Sequence, residues 1–318
     1  MSRSTNRSYN VGLLSNDQDT MFDGFSEHHI TTPTGTIFAR IRGEGRPLLL
    51  LHGYPQTHAI WHRVAPALAD AGFRVIAADL PGYGRSSIPP LDDVSAFTKR
   101  AMARTLVDAM DTLGHPTFSV VGHDRGARVT YRMALDHPSR IEQLVTLDVQ
   151  PTIDTFESLG RLGGIAAYHW YFLAQPNPLP EQLIQPNAEW FLRWSINSWA
   201  GYKDAFSDDA MADYIASFSQ PDRLRASCND YRAGATLDCE IDAADRTAGK
   251  KITSPMLALW GAGIGRRASE GRILDTWKRW ATNVRGEGLP CGHFIPEEAP
   301  EELIKSILPF LNSETGSP

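Results

Sequence analysis

The stretch from Thr117 to Arg128, reading TFSVVGHDRGAR, leaves this chain few ways to fold. Phe118, Val120 and Val121 make a short apolar, β-branched run of the kind that forms a buried strand, Gly122 ends it, and helix-forming sequence follows. The join reads Gly122, His123, Asp124, Arg125, Gly126: small, any, acid, any, small. A turn this sharp brings backbone against backbone, and a Cβ on either flank would clash, so glycine is needed on both sides. The central side chain is lifted off the sheet, and Asp124 is expected to be presented rather than buried. It stands where a strand–turn–helix elbow holds its nucleophile, with Asp in place of the better-known Ser.

An Asp nucleophile selects a chemistry. A carboxylate with an ordinary pKa of ~3.9 is ionised at neutral pH and needs no base to activate it, which suits attack on an electrophilic sp³ carbon. The product is an alkyl ester of Asp124. A second step must bring water to the ester carbonyl, with a His as base and an oxyanion hole to hold the developing charge. Carbon–halogen and epoxide carbons are the usual targets. The plainer reading is that Asp124 caps the helix beginning near Gly126, since Asp is a favoured N-cap.

Around the elbow the chain alternates strand and helix. Phe25–Thr32 and Thr36–Arg42 flank a turn at Thr34 and Gly35 and read as a hairpin; strands follow at Pro47–Leu51 and Arg74–Ala78, with helices over Trp61–Ala69 and Ser95–Leu113. Past the elbow come a helix to Asp136 and a strand over Ile141–Leu147. Residues 255–260 resume the sheet, with a helix over Ser269–Trp280, a strand over Asn283–Leu289 and a last helix over Pro300–Leu311. Such alternation means a mostly parallel sheet with helices on both faces. Between Pro151 and Gly249 it stops, and aromatic residues recur at helical spacing, which predicts an inserted helical cap over residues 151–249. The core is then 22–150 with 250–318, and polar residues 1–21 read as a flexible tail without the apolar stretch of a secretory leader.

In open sheets of this kind a site forms beyond the carboxyl ends of the strands, and Tyr54, Asp124, Asp148 and His293 all fall there. His293, in CGHF after the last strand, is the candidate base. Asp148 ends a strand and is the candidate partner for it; GAGIGRR at 261–267 holds no carboxylate, and the rivals Asp79 and Asp275 lie on an earlier strand end and inside a helix. Arg125 and Arg128 share a face in the first turn after the elbow, where cations oppose the positive end of the helix dipole. Asp124 compensates one charge. Two guanidinium forks suggest a second anion, either a substrate carboxylate or a protein acid such as Asp148 or Asp154.

Composition narrows the partners. The net charge of −6, without a basic run, excludes a nucleic-acid binder, yet allows a small anionic substrate met by local positive charge. No apolar run approaches a membrane span. Cys228, Cys239 and Cys291 are odd in number and lack CxxC spacing, so reduced thiols in a cytoplasmic protein are expected and no metal site. Gly261, Gly263 and Gly265 do not keep GxGxxG spacing, so no dinucleotide is implied, and no cofactor of any kind is expected.

With those residues in place, the chain resembles the fluoroacetate dehalogenases of the α/β-hydrolase superfamily from about Phe22 to Leu311. The resemblance rests on HGYPQTHAIW at 52–61, DLPGYGRSS at 79–87, GHDRGAR at 122–128, LDVQPT at 147–152, YHWYFLAQP at 168–176, YRAGATLD at 231–238 and GHFIPEEAP at 292–300. HGYPQ and the elbow are shared with epoxide hydrolases and haloalkane dehalogenases; DRGAR with HW and YRA is narrower. It implies an eight-stranded α/β-hydrolase fold with nucleophile Asp124, base His293 and its partner Asp148. Arg125 and Arg128 would hold a haloacid carboxylate, His169, Trp170 and Tyr231 the departing halide, and the N–H groups of Tyr54 and Arg125 the oxyanion. It also implies a cofactor-free haloacetate hydrolase, and a homodimer. An epoxide hydrolase shares the triad and would use cap tyrosines such as Tyr168, Tyr171 or Tyr231 to protonate an alkoxide.

Overall fold

The computed structural model describes residues 20–263 and 270–313; the N-terminal tail up to residue 19, and Arg266 and Arg267, lie outside them. The strands are β1 Ser26–Thr32, β2 Gly35–Arg42, β3 Arg46–Leu51, β4 Phe73–Ala78, β5 Phe118–His123, β6 Ile141–Leu147, β7 Met256–Gly261 and β8 Val284–Leu289. They form one eight-stranded sheet in the order β1-β2-β4-β3-β5-β6-β7-β8. β1 and β2 are an antiparallel hairpin, β2 meets β4 antiparallel, and every pairing from β4 to β8 is parallel.

The continuous apolar runs seen in the sequence are strands buried on both faces. Leu49 and Leu51 of β3 and Val120 of β5 face one core, shared with Met102 and Leu106 of α2 (Lys99–Thr112) and Val129 and Met133 of α3 (Arg125–Asp136). Leu48, Leu50 and Val121 face the other, with Leu68 of α1 (Ala65–Asp70) and Leu303 and Ile307 of α14 (Pro300–Leu311). This is the period of two expected of a strand, with apolar side chains on both sides.

Two helices are shorter than the sequence suggests. The segment expected as one helix over Trp61–Ala69 is a 3₁₀ turn at His58–Trp61, then α1 with a proline in its first turn. The helix expected from Ser95 breaks at Thr98, whose extended backbone lets its hydroxyl accept from the Ala101 N–H and cap α2.

From Pro151 to Gly249 the described elements are helices: α4 Thr152–Ser158, α5 Arg161–Ala166, α6 Tyr168–Leu173, α7 Leu179–Ile184, α8 Ala188–Trp199, α9 Asp208–Phe218, α10 Pro221–Ala235 and α11 Leu237–Thr247, with a short 3₁₀ turn before α8. Their inner side chains, Trp170, Leu192, Tyr214, Leu224 and Tyr231 among them, are continuous with the core on the Leu49 face. They roof the carboxyl end of β5. α12 (Glu270–Trp280) and α13 (Ile295–Glu298) complete the order.

Candidate active site

The elbow is as tight as its glycines imply. A Cβ on Gly122 would lie 2.4 Å from Thr130 Oγ1, and one on Gly126 2.3 Å from the His52 carbonyl oxygen. Asp124 itself holds φ 46° and ψ −114°, a conformation that glycine favours. Its side chain does not cap α3; Oδ2 instead accepts the Tyr54 N–H at 3.0 Å. One expectation is corrected here: Asp124 is 8 % exposed, so it is buried. The elbow lifts it off the sheet, but the α4–α11 segment closes over it, and it lines a cavity beneath those helices. Burial alone would raise its pKa; the His293 ring and the Arg125 guanidinium outweigh that and hold the carboxyl below its ordinary value.

Asp148 and His293 meet. His293 Nδ1 lies 2.6 Å from Asp148 Oδ2, and Asp148 Oδ1 accepts the Gly261 N–H at 3.0 Å. Asp148 has φ 57°, a bend just past β6 that swings its carboxylate toward the loop after β8. The His293 carbonyl accepts from His123 Nε2 at 2.8 Å, which seats the loop on the elbow. Burial brings the His123 pKa down to about 4, so that ring stays neutral. The rival acids are engaged elsewhere. Asp79 is fully buried and accepts the N–H groups of His58 and Arg85, while Asp275 pairs with Lys278 at 3.1 Å.

The cavity has a volume of about 560 Å³ and is walled by Asp124, Asp148, His293, Arg128, His169, Trp170 and Tyr231, with Trp199 closing one side. His169 lies parallel to the buried Tyr54 ring at 6.5 Å and against Trp199 at 4.4 Å. Burial lowers its pKa to about 3, so it is a neutral ring, and its Nδ1 has no hydrogen-bond partner. The outer wall is formed by Leu159, Gly163, Ala167 and Ile273, with the exposed Arg272 at the rim.

The two arginines behave differently. Arg128 lines the cavity with its guanidinium 4.4 Å from the Trp170 ring; Nη1 donates to the Gln150 carbonyl at 2.9 Å, and Nε is buried without a partner. Arg125 does not line it. Its Nε and Nη2 fork onto Asp230 at 3.0 and 2.6 Å beneath the Tyr231 ring, and Nη1 is left without a partner. The anion opposing the first of the two charges is therefore a protein acid, but neither of those the sequence suggests: Asp148 serves His293, and Asp154 takes Arg279 and the Trp280 indole. Asp230 was missed because its partner lies 105 residues away; its one local signal is its place directly before Tyr231 on α10. Among the described residues no group of His, Cys, Asp and Glu is placed to hold a metal ion, and no helix is long and apolar enough to cross a membrane.

Residues 46–300 match the alpha/beta hydrolase fold family. The fluoroacetate dehalogenase of Burkholderia sp is 39 % identical over 295 residues, covering 92 % of this chain and 95 % of that protein. The soluble epoxide hydrolase of Corynebacterium sp. (strain C12) is 33 % identical over 294 residues, 91 % of this chain and 95 % of that one. Among solved structures, the α/β hydrolase ALR0039 of Nostoc sp PCC 7120 superposes with a TM-score of 0.88 at 47 % identity, over 92 % of this chain and all of that one. The elbow, the sheet order and these likenesses agree: the chain belongs to the α/β-hydrolase superfamily, among hydrolases related to fluoroacetate dehalogenase and to the epoxide hydrolases.

Proposed function

We propose that this hydrolase is a haloacetate dehalogenase, releasing halide from fluoroacetate and chloroacetate to give glycolate. One observation carries the reading: beside an ionised Asp124, Arg128 lines the cavity with a buried guanidinium whose Nε no protein acceptor satisfies. A buried donor left unpaired costs about 1–3 kcal/mol, and one in a cavity wall suits a ligand that supplies an acceptor. A carboxylate supplies a charged acceptor to match the guanidinium, which an epoxide or a haloalkane does not. The likeness to fluoroacetate dehalogenase points the same way.

In this reading an Asp124 carboxylate oxygen attacks the carbon bearing the halogen, the carbon–halogen bond breaks, and halide leaves with the bonding pair. His169, Trp170 and Tyr231 offer imidazole N–H, indole N–H and phenol O–H to the developing charge. With His169 neutral, one ring nitrogen carries a proton and can donate without adding a cation. His293 then takes a proton from water, and the resulting hydroxide adds to the ester carbonyl. The N–H groups of Tyr54 and Arg125 hold the oxyanion; collapse breaks the ester C–O bond, the departing alkoxide takes the proton from His293 to give glycolate, and Asp124, left as the acid, loses its proton to water. Asp148 keeps the His293 proton on Nδ1, leaving Nε2 as the base.

The second reading, epoxide hydrolysis, keeps the same triad and is favoured by the Corynebacterium relative and by Tyr231 in the cavity wall. Halide and product assays with fluoroacetate and chloroacetate, run beside styrene oxide and a neutral bromoalkane, separate the two. Halide and glycolate from the acids are expected. Turnover of the neutral compounds alone overturns the haloacid reading.

A further inference from the structure

Asp230 takes no part in the chemistry above, yet donors converge on it from three directions. Arg125 forks onto it, Tyr83 Oη donates to Oδ2 at 2.7 Å, and Lys99 Nζ bonds Oδ1 while reaching Asp238 at 3.3 Å. All of these groups are buried, and Asp230 is fully so. Burial alone would raise the Asp230 pKa, but the Arg125 and Lys99 charges hold the carboxyl far below the usual range, so it is an anion. Arg125 and Lys99 balance Asp230 and Asp238, and the cluster adds no net charge to the site.

The need for it lies in the sequence. Arg125 follows Asp124 directly, and Arg128 is one turn on. Two guanidiniums beside a buried carboxylate should close on it, because a charge-assisted pair in a dry site is strong. Neither does. The only hydrogen bond to the Asp124 side chain among the described residues is the Tyr54 N–H. Arg128 is held off by the Gln150 carbonyl and the Trp170 face, and Arg125 by Asp230.

We propose that Asp230 is a positioning residue that diverts Arg125 from the nucleophile, keeping the Asp124 lone pairs open for attack. Without the Asp230 charge, Lys99 repels Arg125, and the adjacent Asp124 carboxylate, which already feels the Arg125 charge, is an anion for it to turn to. An ion pair there would lower the energy of the nucleophile before attack and raise the barrier to ester formation.

The inference rests on Asp124 as nucleophile, so its test is a cycle of Asp230→Asn, Arg125→Gln and the double variant, all confirmed folded by circular dichroism. In the wild-type background Asp230→Asn is expected to slow ester formation on Asp124, followed by rapid-quench mass spectrometry with chloroacetate, by about 30-fold, a coupling ordinary for charges in contact. KM should move by less than about threefold, as an anchor that acts on the nucleophile rather than on affinity requires. In the Arg125→Gln background the same substitution should cost less than about threefold. A merely structural Asp230 would cost the same factor in both backgrounds, and that result overturns the proposal. If the wild type spares every haloacid, the haloacetate reading fails separately, and the cycle runs on styrene oxide, which also esterifies Asp124. A crystal structure of Asp230→Asn gives an answer without turnover: Arg125 on Asp124 supports the proposal, and Arg125 unmoved from position 230 refutes it.

Discussion

A non-glycine residue at φ 46° stores strain of about 1–3 kcal/mol, and Asp124 carries it where the chemistry needs a side chain. Asp124→Gly should therefore raise the thermal midpoint while abolishing turnover; an unchanged or lower midpoint in a calorimetric scan would mean the elbow is relaxed. His293→Asn should still be alkylated but fail to hydrolyse the ester, so a mass increment on Asp124 is expected after mixing with haloacetate. Free turnover in that variant removes His293 from the second step. For Arg128→Met, loss of a charged hydrogen bond worth about 1.5–3 kcal/mol predicts a KM for chloroacetate roughly 10- to 100-fold higher. A KM within twofold of wild type would show that Arg128 does not meet the substrate. At this scale Asp124, Asp148 and His293 were legible because each closes a strand or follows one, and strand ends are read from local apolar runs. Asp230 was not. Its partners, Arg125 and Lys99, are distant in sequence, and its place before Tyr231 on α10 does not by itself tell a buried carboxylate from a solvated one.

Elements were legible where a single period ran through them and blurred where a cap interrupted it, as at Thr98 before α2. Contacts between elements needed the structure. On α13, Glu297 is buried against α9, accepting the Tyr214 hydroxyl, with its Oε2 unsatisfied and His62 3.7 Å away. Burial raises its pKa to about 8 from the ordinary 4.5. The folded state thus holds a proton that the unfolded chain releases near 4.5. The stability this group contributes is complete below that value and is lost as the pH climbs toward 8. Glu297→Gln keeps an acceptor for Tyr214 and cannot ionise, so its melting temperature should gain on the wild type steadily from pH 5 to pH 8, read as paired melts across that range. Parallel curves would show that Glu297 is already ionised in the fold.

At the scale of the molecule, alternating strand and helix announced the parallel sheet, and the loss of alternation after Pro151 announced the helical stretch. What helices at that place enclose could not be read, because a cavity is set by packing between residues far apart. The cavity of about 560 Å³ falls among pockets that commonly hold ligands far larger than haloacetate, which has a handful of non-hydrogen atoms. Its outer wall of Leu159, Gly163, Ala167 and Ile273 is apolar. A substituent on the reacting carbon should therefore be accommodated: 2-chloropropionate is expected to be hydrolysed with kcat/KM within about tenfold of chloroacetate, each added methylene in an apolar pocket being worth about 1–3 kcal/mol against the crowding it brings. Complete rejection would mean the inner wall, not the outer, bounds the substrate. The salt-linked cluster of Arg125, Lys99, Asp230 and Asp238 bears on how anything gets in. It rivets α10, at the centre of the roof, to α2 and α3 below, and levering that helix upward would strand opposed charges in oil. The exposed Arg272 stands at the eaves, where a small acid can pass while the rafters stay put.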